Sequence, residues 1–486
     1  MYLGLDIGTS GVKAVLIDDR QKTLASATSP LKVSRPQPGW SEQNPEHWWK
    51  AVGSAIGAIR KAKPKALAAV EGIGLSGQQH GATLLDKEGE VLRPAILWND
   101  ARSGAECKEI EAREPRARDI TGNIAMAGFT APKLVWTRKH EPKVFEKVAM
   151  VLLPKDYVRF RLTGEYASDM SDSAGTHWMD VAKRAWSDAM LAATDMSRDQ
   201  MPQLFEGTDV TGRLTPAVAK ALGMPKQPVV AGGGGDNAAA ACGIGAVTPD
   251  AASLSIGTSG VLFVSNASFA PNAGRAVHAF CHAVPKTWHQ MGVILSAAAS
   301  LEWLALNLDS PAPKLTAALG SKLMGPSPAL FLPYLSGERT PVNDPRIRAV
   351  FAGLGHEADR KVLTHAVLDG VAFAFRDSLE ALKAAGTHVS RATALGGGSK
   401  SKLWLQIIAT ALDIELDVPA AGDFGGAYGG ARLGLIAATG EDYRKILTPP
   451  KMASSVKPVK AARAAYEDAY QRYVRIYPEM QEISTA

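Results

Sequence analysis

The chain has 486 residues, enough for two domains or more. Hydrophobic residues make up 46% and charged residues 21%, and the net charge of +6 comes without a basic run interleaved with aromatics, which argues against a nucleic-acid partner. Three cysteines (Cys107, Cys242, Cys281) are too few for a secreted disulfide framework, no apolar run approaches the roughly 20 residues of a membrane span, and the start MYLGLDIGTSG has no signal-peptide pattern, so a cytoplasmic protein without a membrane partner is expected.

In chain order, MYLGLDIG and TSGVKAVLID alternate apolar with small or polar residues around a glycine turn, which predicts a hairpin. A third strand follows at KTLASATSPL. PEHWWKAVGSAIGAIRKA carries apolar residues at helical spacing, with Pro45 near its start. Halfway along, AASLSIG and TSGVLFVSNA repeat the opening, down to the identical stretch IGTSGV at 7–12 and 256–261. The repeat predicts two α/β halves, residues 1–246 and 247–486, divided in the Gly- and Pro-containing segment GIGAVTPDAAS. In the second half VLTHAVLDGVAFAFRDSLEALKAAG reads as a long helix stopped by Gly386. SKLWLQIIATAL and ARLGLIAAT read as further helices, and KAARAAYEDAYQRYVRIYPEM as a final surface helix.

The turn DxGTSGxK suits a phosphate. Gly8 and Gly11 let the backbone approach an anion, Thr9 and Ser10 offer hydroxyls, and Lys13 adds a positive charge. Asp6, ending the first strand, could hold Mg2+ through water. The second copy has Thr258 and its glycines but Ser255 in place of the acid, so two turns gripping one polyphosphate would divide the work. VVAGGGGDNAAAACGIGA runs a strand into four glycines and Asp236–Asn237, which fits either a general base that substrate can reach or an acid at a helix start. TALGGGSKSKLWLQ places Gly396–Gly398 and Ser401 where a nucleotide could lie against backbone, although no P-loop motif is present. Gln79 and His80 in SGQQHGATLLD, and Trp98, Asn99 and Asp100 in AILWNDARS, supply the amides, acids and aromatic face that a sugar needs. In AVHAFCHAV a strand would turn His278 and Cys281 to opposite faces, and no second cluster completes a metal site.

Together these motifs resemble the FGGY family of carbohydrate kinases, and the resemblance runs through nearly the whole chain. GFTAPKLVWTRKH at 128–140 is similar to one family signature and FAGLGHEADRKVLTHAVLDGVAF at 351–373 to the other, with Thr137, Val362 and Asp369 as departures. The resemblance implies two ribonuclease H-like domains of the actin and hexokinase type enclosing a cleft, with phosphoryl transfer from ATP and Mg2+ to a sugar or polyol. SRPQPGWSEQNPEHWW, GATLLDKEGEVLRPAILWND and FLPYLSGERTPVNDP resemble the branch of the family that takes D-xylulose. By position, the resemblance makes Asp236 the base and Asp6 the acid near metal and phosphates. It makes Gln79 and His80 the sugar-binding pair, to which Trp98, Asn99, Asp100 and Asn237 are added as sugar-side candidates, and it matches Thr9, Lys13, Thr258, Gly397 and Ser401 to nucleotide-side positions, beside Gly8 and Ser10 of the first turn. Gln79 stands where that branch usually has Met, so another ketose or an alditol stays open as acceptor, and four glycines rather than three precede Asp236, a difference that could shift the loop placing its carboxylate. An actin-like assembly ATPase would share the two turns, but GQQHG and GGGGDN favour a sugar kinase. A homodimer is the expected assembly.

Overall fold

The computed structural model describes residues 1–420, 422 and 424–484. In the first half Tyr2–Ile7 and Gly11–Ile17 form the expected hairpin and Thr23–Pro30 adds a third antiparallel strand. Gly72–Gly77 then joins parallel to Tyr2–Ile7, and Val229–Ala231 parallel to Gly72–Gly77. The second half repeats this plan. Ala252–Ile256 and Gly260–Asn266 pair antiparallel, Trp288–Ile294 follows, and Arg391–Leu395 and Glu415–Pro419 extend the sheet in parallel. Helix Pro45–Ala62, which begins at the predicted proline and is capped by the Asn44 side chain, covers the first sheet with Trp48, Val52, Ile56 and Ile59. Arg360–Lys383 and Lys402–Leu412 cover the second sheet and supply much of its core.

The identical hexapeptides do not close identically. In the first hairpin Asp6 lies opposite Lys13 and Ile7 opposite Val12. In the second, Ser255 lies opposite Val261 and Ile256 opposite Gly260, a slip of one residue. Neighbours outside the turn account for it. Ala298 N and Ala297 N donate to the carbonyls of Gly257 and Thr258 at 2.8 and 2.9 Å, whereas the first turn is held by Leu31 N on Ser10 O (2.9 Å) and Gln43 Nε2 on Thr9 O (2.8 Å). Because side chains alternate along a strand, the slip changes which residues meet across the hairpin.

One helix crosses the expected division. Gly426–Thr439 lies in the second half of the chain but packs between the first sheet and the helix Asp236–Ile244. Glycines permit the crossing. A Cβ on Gly74 would fall 1.8 Å from Gly430 O, and one on Gly429 would fall 1.7 Å from Ala239 O. The buried Arg432 of this helix donates through Nη1 to Cys242 O at 2.8 Å and Gly243 O at 3.1 Å, satisfying end carbonyls of the Asp236 helix. The terminal segment also departs from expectation. It forms two helices, Arg463–Tyr473 and Ile476–Ser484, and the first is a core element. Its Tyr466, Tyr470 and Tyr473 are buried, with the Tyr466 and Tyr470 hydroxyls bonded to Asp369 (2.9 Å) and Asp377 (2.7 Å). No helix of the described residues is long and apolar enough to cross a membrane.

Candidate active site

Three strand ends in register build the centre of the site. Asp6 is level with Ser76, and Ser76 with Gly234; one step on, Ile7, Gly77 and Gly235 align. These are carboxyl ends of parallel strands, where open α/β sheets place ligands. Asp236 follows Gly235 at once and opens its helix, so Asp6 and Asp236 issue from strands two spacings apart, about 10 Å. Ser76 Oγ donates to Asp6 Oδ1 at 2.8 Å, and Lys13 lies directly across the hairpin from Asp6. Asp236 Oδ1 accepts from the backbone N–H and side-chain amide of Asn237 at 2.7 and 2.8 Å. Burial first, and the nearby Asp6 carboxylate second, push the Asp236 carboxyl up to about 6, against the pull of Asn237. Such a group is ionised near neutral pH yet more basic than an ordinary carboxylate, as a proton acceptor should be.

The sugar-side pair lies against this centre. A Cβ on Gly235 would fall 2.7 Å from Gln79 Nε2, so glycine at that position lets Gln79 reach the Asp236 loop. His80 has a φ of +69°, its Nδ1 is 2.6 Å from Gly175 O, and burial pushes its pKa down to about 3. A carbonyl only accepts, so Nδ1 carries the proton and Nε2 of the neutral ring is an acceptor. Trp98, 40% exposed, and Asn99 line a cleft of about 700 Å3 between the halves, whose opposite wall includes Leu295, Glu338, Arg339 and Asn343.

Two of the expected site residues are already hydrogen-bonded within the chain. Asp100 also borders the cleft, but its carboxylate is spent: Arg102 Nε and Nη2 take Oδ1 and Oδ2 at 2.9 and 2.7 Å, and Ser41 N donates to Oδ2 at 2.5 Å. In this arrangement it braces the wall. The Thr9 hydroxyl donates to Gln78 Oε1 at 2.8 Å and accepts from Trp98 Nε1 at 3.0 Å. It therefore ties the first turn to the cleft wall, while the Gly8 N–H is engaged within the turn, donating to Gly11 O at 3.0 Å.

The remaining nucleotide-side residues gather in the second half. Gly396, adjoining the second turn through Ile256, leads into Gly397 and Ser401, which line a pocket of about 490 Å3 with Leu301, Glu302, Pro313 and Trp404. Ser401 caps the helix Lys402–Leu412 through Trp404 N, and a Cβ on Gly397 would meet open space. Thr258 belongs to the second turn, its carbonyl accepting from Ala297 N.

Sequence reading missed a fully buried ionic cluster behind the Asp236 loop. Lys155 Nζ lies 2.5, 2.8 and 3.2 Å from Asp156, Asp169 and Asp172, all without solvent exposure. Arg159 joins Asp156 and donates to the carbonyls of Ala231 and Gly232 at 2.6 and 2.5 Å, where the glycine run begins. Ser171 Oγ donates to Asp169 at 2.5 Å and accepts from Gly235 N at 3.1 Å. Three acids face two cations, and burial foremost raises the Asp172 pKa well above its ordinary value, against the pull of Lys155. The available signal was the density of charged residues in PKDYVRFRL and YASDMSDSAG, which resembles a solvated surface until the fold encloses it.

Two duplicated mixed sheets with helices on their faces and a cleft between them define a two-domain carbohydrate kinase. The chain belongs to the FGGY family of carbohydrate kinases: the family's N-terminal domain matches residues 1–243 and its C-terminal domain residues 252–438. It is 50% identical over 482 residues to the xylulose kinase of Escherichia coli K12, covering 99% of both chains. Among solved structures, that of a xylulose kinase from Brucella ovis is 56% identical with a TM-score of 0.97 and covers 99% of each chain. The xylulose kinase from Rhodospirillum rubrum is 27% identical with a TM-score of 0.92 over the full length of both. The protein is a sugar kinase.

Proposed function

We propose that this kinase transfers the γ-phosphoryl group of ATP to the terminal hydroxyl of D-xylulose, giving D-xylulose 5-phosphate. The observation that carries the substrate is the full-length identity of 50% and 56% to proteins named for that sugar. The sugar is assigned to the half built from residues 1–246, against Gln79, His80, Asn237 and the Trp98–Asn99 wall. The nucleotide is assigned to the half built from 247–486, apart from the helix Gly426–Thr439 that returns to the first sheet. In this reading the phosphates lie between the two IGTSGV turns, near Lys13 and Thr258, with the adenosine toward Gly397 and Ser401.

Asp236 accepts the proton of the attacking hydroxyl as its oxygen approaches the γ-phosphorus in line. The rest of the rate comes from positioning and electrostatics. Mg2+ fits this donor set. Asp6 and Asp236 press on each other electrostatically, a repulsion that a hydrated cation held by carboxylate oxygen would relieve. Bound at Asp6, it would neutralise phosphate charge. The three free thiols fit a reducing cytoplasm. At the position of the usual Met, Gln79 brings a polar amide to the sugar, while its Nε2 is engaged with Ser171 O at 3.4 Å.

The test is a panel of ketoses and alditols with purified protein and Mg-ATP, following ADP release and the phosphate ester by NMR. Fastest turnover with D-xylulose is expected. A better ketose or alditol would overturn the substrate, and ADP release without any phosphosugar would favour the assembly-ATPase reading.

A further inference from the structure

Arg339 is a cation that the catalytic reading leaves unused. It comes from the second half of the chain yet lines the cleft opposite Trp98 and Asn99. Its side chain has one hydrogen-bond partner among the described residues, Nη1 standing 3.4 Å from His278 Nε2. That ring is neutral, because burial foremost and Arg339 next push its pKa well down. A guanidinium only donates, so His278 Nε2 accepts and Nδ1 carries the proton toward Asn123 Oδ1 at 3.3 Å. Asn123 is fixed in turn, its amide donating to Thr121 O at 2.7 Å and Ala279 O at 3.0 Å. The imidazole and its tautomer are thus locked as a rest for the guanidinium.

Among the described residues no carboxylate forms an ion pair with the guanidinium, and the acid whose charge acts on it is the adjacent Glu338. Glu338, the adjacent acid, is buried and spends Oε1 on Leu295 N and the Arg339 backbone N–H at 2.9 and 2.7 Å. Burial pushes its pKa up to about 8, against the pull of those two backbone N–H groups and of the Arg339 charge. A half-buried guanidinium resting on a neutral ring costs stability, and a cost of this kind is retained where a ligand oxygen completes the set. Its position names the ligand atoms. From Asp236 the packing passes through Gly235 to Gln79 and His80, and on through the buried rings of Phe129 and His278 to Arg339. The Arg339 charge acts on His80, whereas the charge that acts on Asp236 is that of Asp6, which sets Arg339 on the His80 side of the site.

Building on the proposed sugar site, we propose that Arg339 is a specificity-determining residue that donates hydrogen bonds to the oxygens at the end of the acyclic sugar remote from Asp236. Because Arg339 belongs to the second half and the other sugar contacts to the first, the sugar itself bridges the cleft. An acceptor long enough to reach Arg339 draws the halves together, and a shorter one does not.

The test compares two acceptors, the sugar that the wild type phosphorylates best and a three-carbon polyol that retains the reacting hydroxymethyl end. Arg339→Met should lower kcat/KM for the full-length sugar about 10- to 100-fold, the range for losing a hydrogen bond to a charged group, and change it less than threefold for the short polyol. Arg339→Lys, which keeps the charge but not the fork, should fall between and show the same dependence on acceptor length; it carries the test if the Met variant does not fold. Wild-type kinetics of the Met variant on the full-length sugar, or an equal loss on both acceptors, would overturn the proposal, the latter marking Arg339 as a brace of its loop. A wild-type enzyme that phosphorylates no sugar at all would instead overturn the function on which it rests.

Discussion

Replacing Asp236 with Asn should make the enzyme both inactive and more stable, and the two effects have different pH dependences. Asn keeps an Oδ1 acceptor for the Asn237 donors at 2.7 and 2.8 Å but cannot take a proton. Loss of a general base predicts a fall in kcat of about 10²- to 10⁴-fold. The stability effect follows from the shift of the Asp236 pKa from 3.8 to about 6 by burial and by Asp6. A raised carboxyl pKa means that the folded protein holds this proton more tightly than the unfolded chain. Its ionised form therefore works against folding above pH 6, and that penalty fades as pH falls from 6 toward 3.8. Two units correspond to at most about 3 kcal/mol, reduced by the partial exposure of the site. At pH 7.5 the ligand-free Asn variant should then melt a few degrees above wild type, with a gap that narrows below pH 6. Wild-type kcat/KM should fall with decreasing pH through about 6. Scanning calorimetry at pH 5, 6, 7 and 8, with coupled ADP assays across the same range, measures both. A variant within tenfold of wild-type kcat would remove Asp236 as the base. A melting gap that does not change with pH would refute the argument that Asp6 and burial hold its pKa up.

Gly74→Ala should destabilise the protein by about 1–3 kcal/mol or more, since its Cβ would fall 1.8 Å from Gly430 O and push out the helix whose first residue, Gly426, adjoins Asp6; chemical denaturation should show a lowered midpoint and the assay a lowered kcat. Gly57→Ala should do the reverse, raising stability by about 0.5–1 kcal/mol, because its Cβ meets nothing within 4 Å and the site is interior to a helix. Lys155→Met should cost about 3–5 kcal/mol by leaving Asp156, Asp169 and Asp172 buried without their shared cation, read as loss of soluble folded protein or a sharply lower denaturation midpoint.

Local sequence determined the elements whose causes are local. Alternation around glycine produced the opening hairpin, Asn44–Pro45 started the first long helix, and Gly235–Asp236 ended a strand and began a helix. The motifs also pointed to one centre, because Asp6, Gln79, His80 and Asp236 all sit at or just beyond strand ends, where chain order already indicates exposure to a ligand. Tertiary structure decided what depends on residues far apart in the chain. The identical IGTSGV turns differ by one residue in register because Ala297 and Ala298 hold one, and Leu31 and Gln43 the other. The helix Gly426–Thr439 has an apolar pattern that asks only for burial, and it was glycine against glycine at the first sheet that chose its partner. Charge is the least local property of all. Asp100 reads as a ligand in the sequence and is engaged by Arg102 and Ser41 in the fold, Lys155 lies at the centre of a buried cluster, and Arg339 meets the cleft only once the fold brings it opposite Trp98 and Asn99. A charged side chain has the same letter in water and in the interior; only the enclosing fold sets the cost of its charge and hence what it must bind.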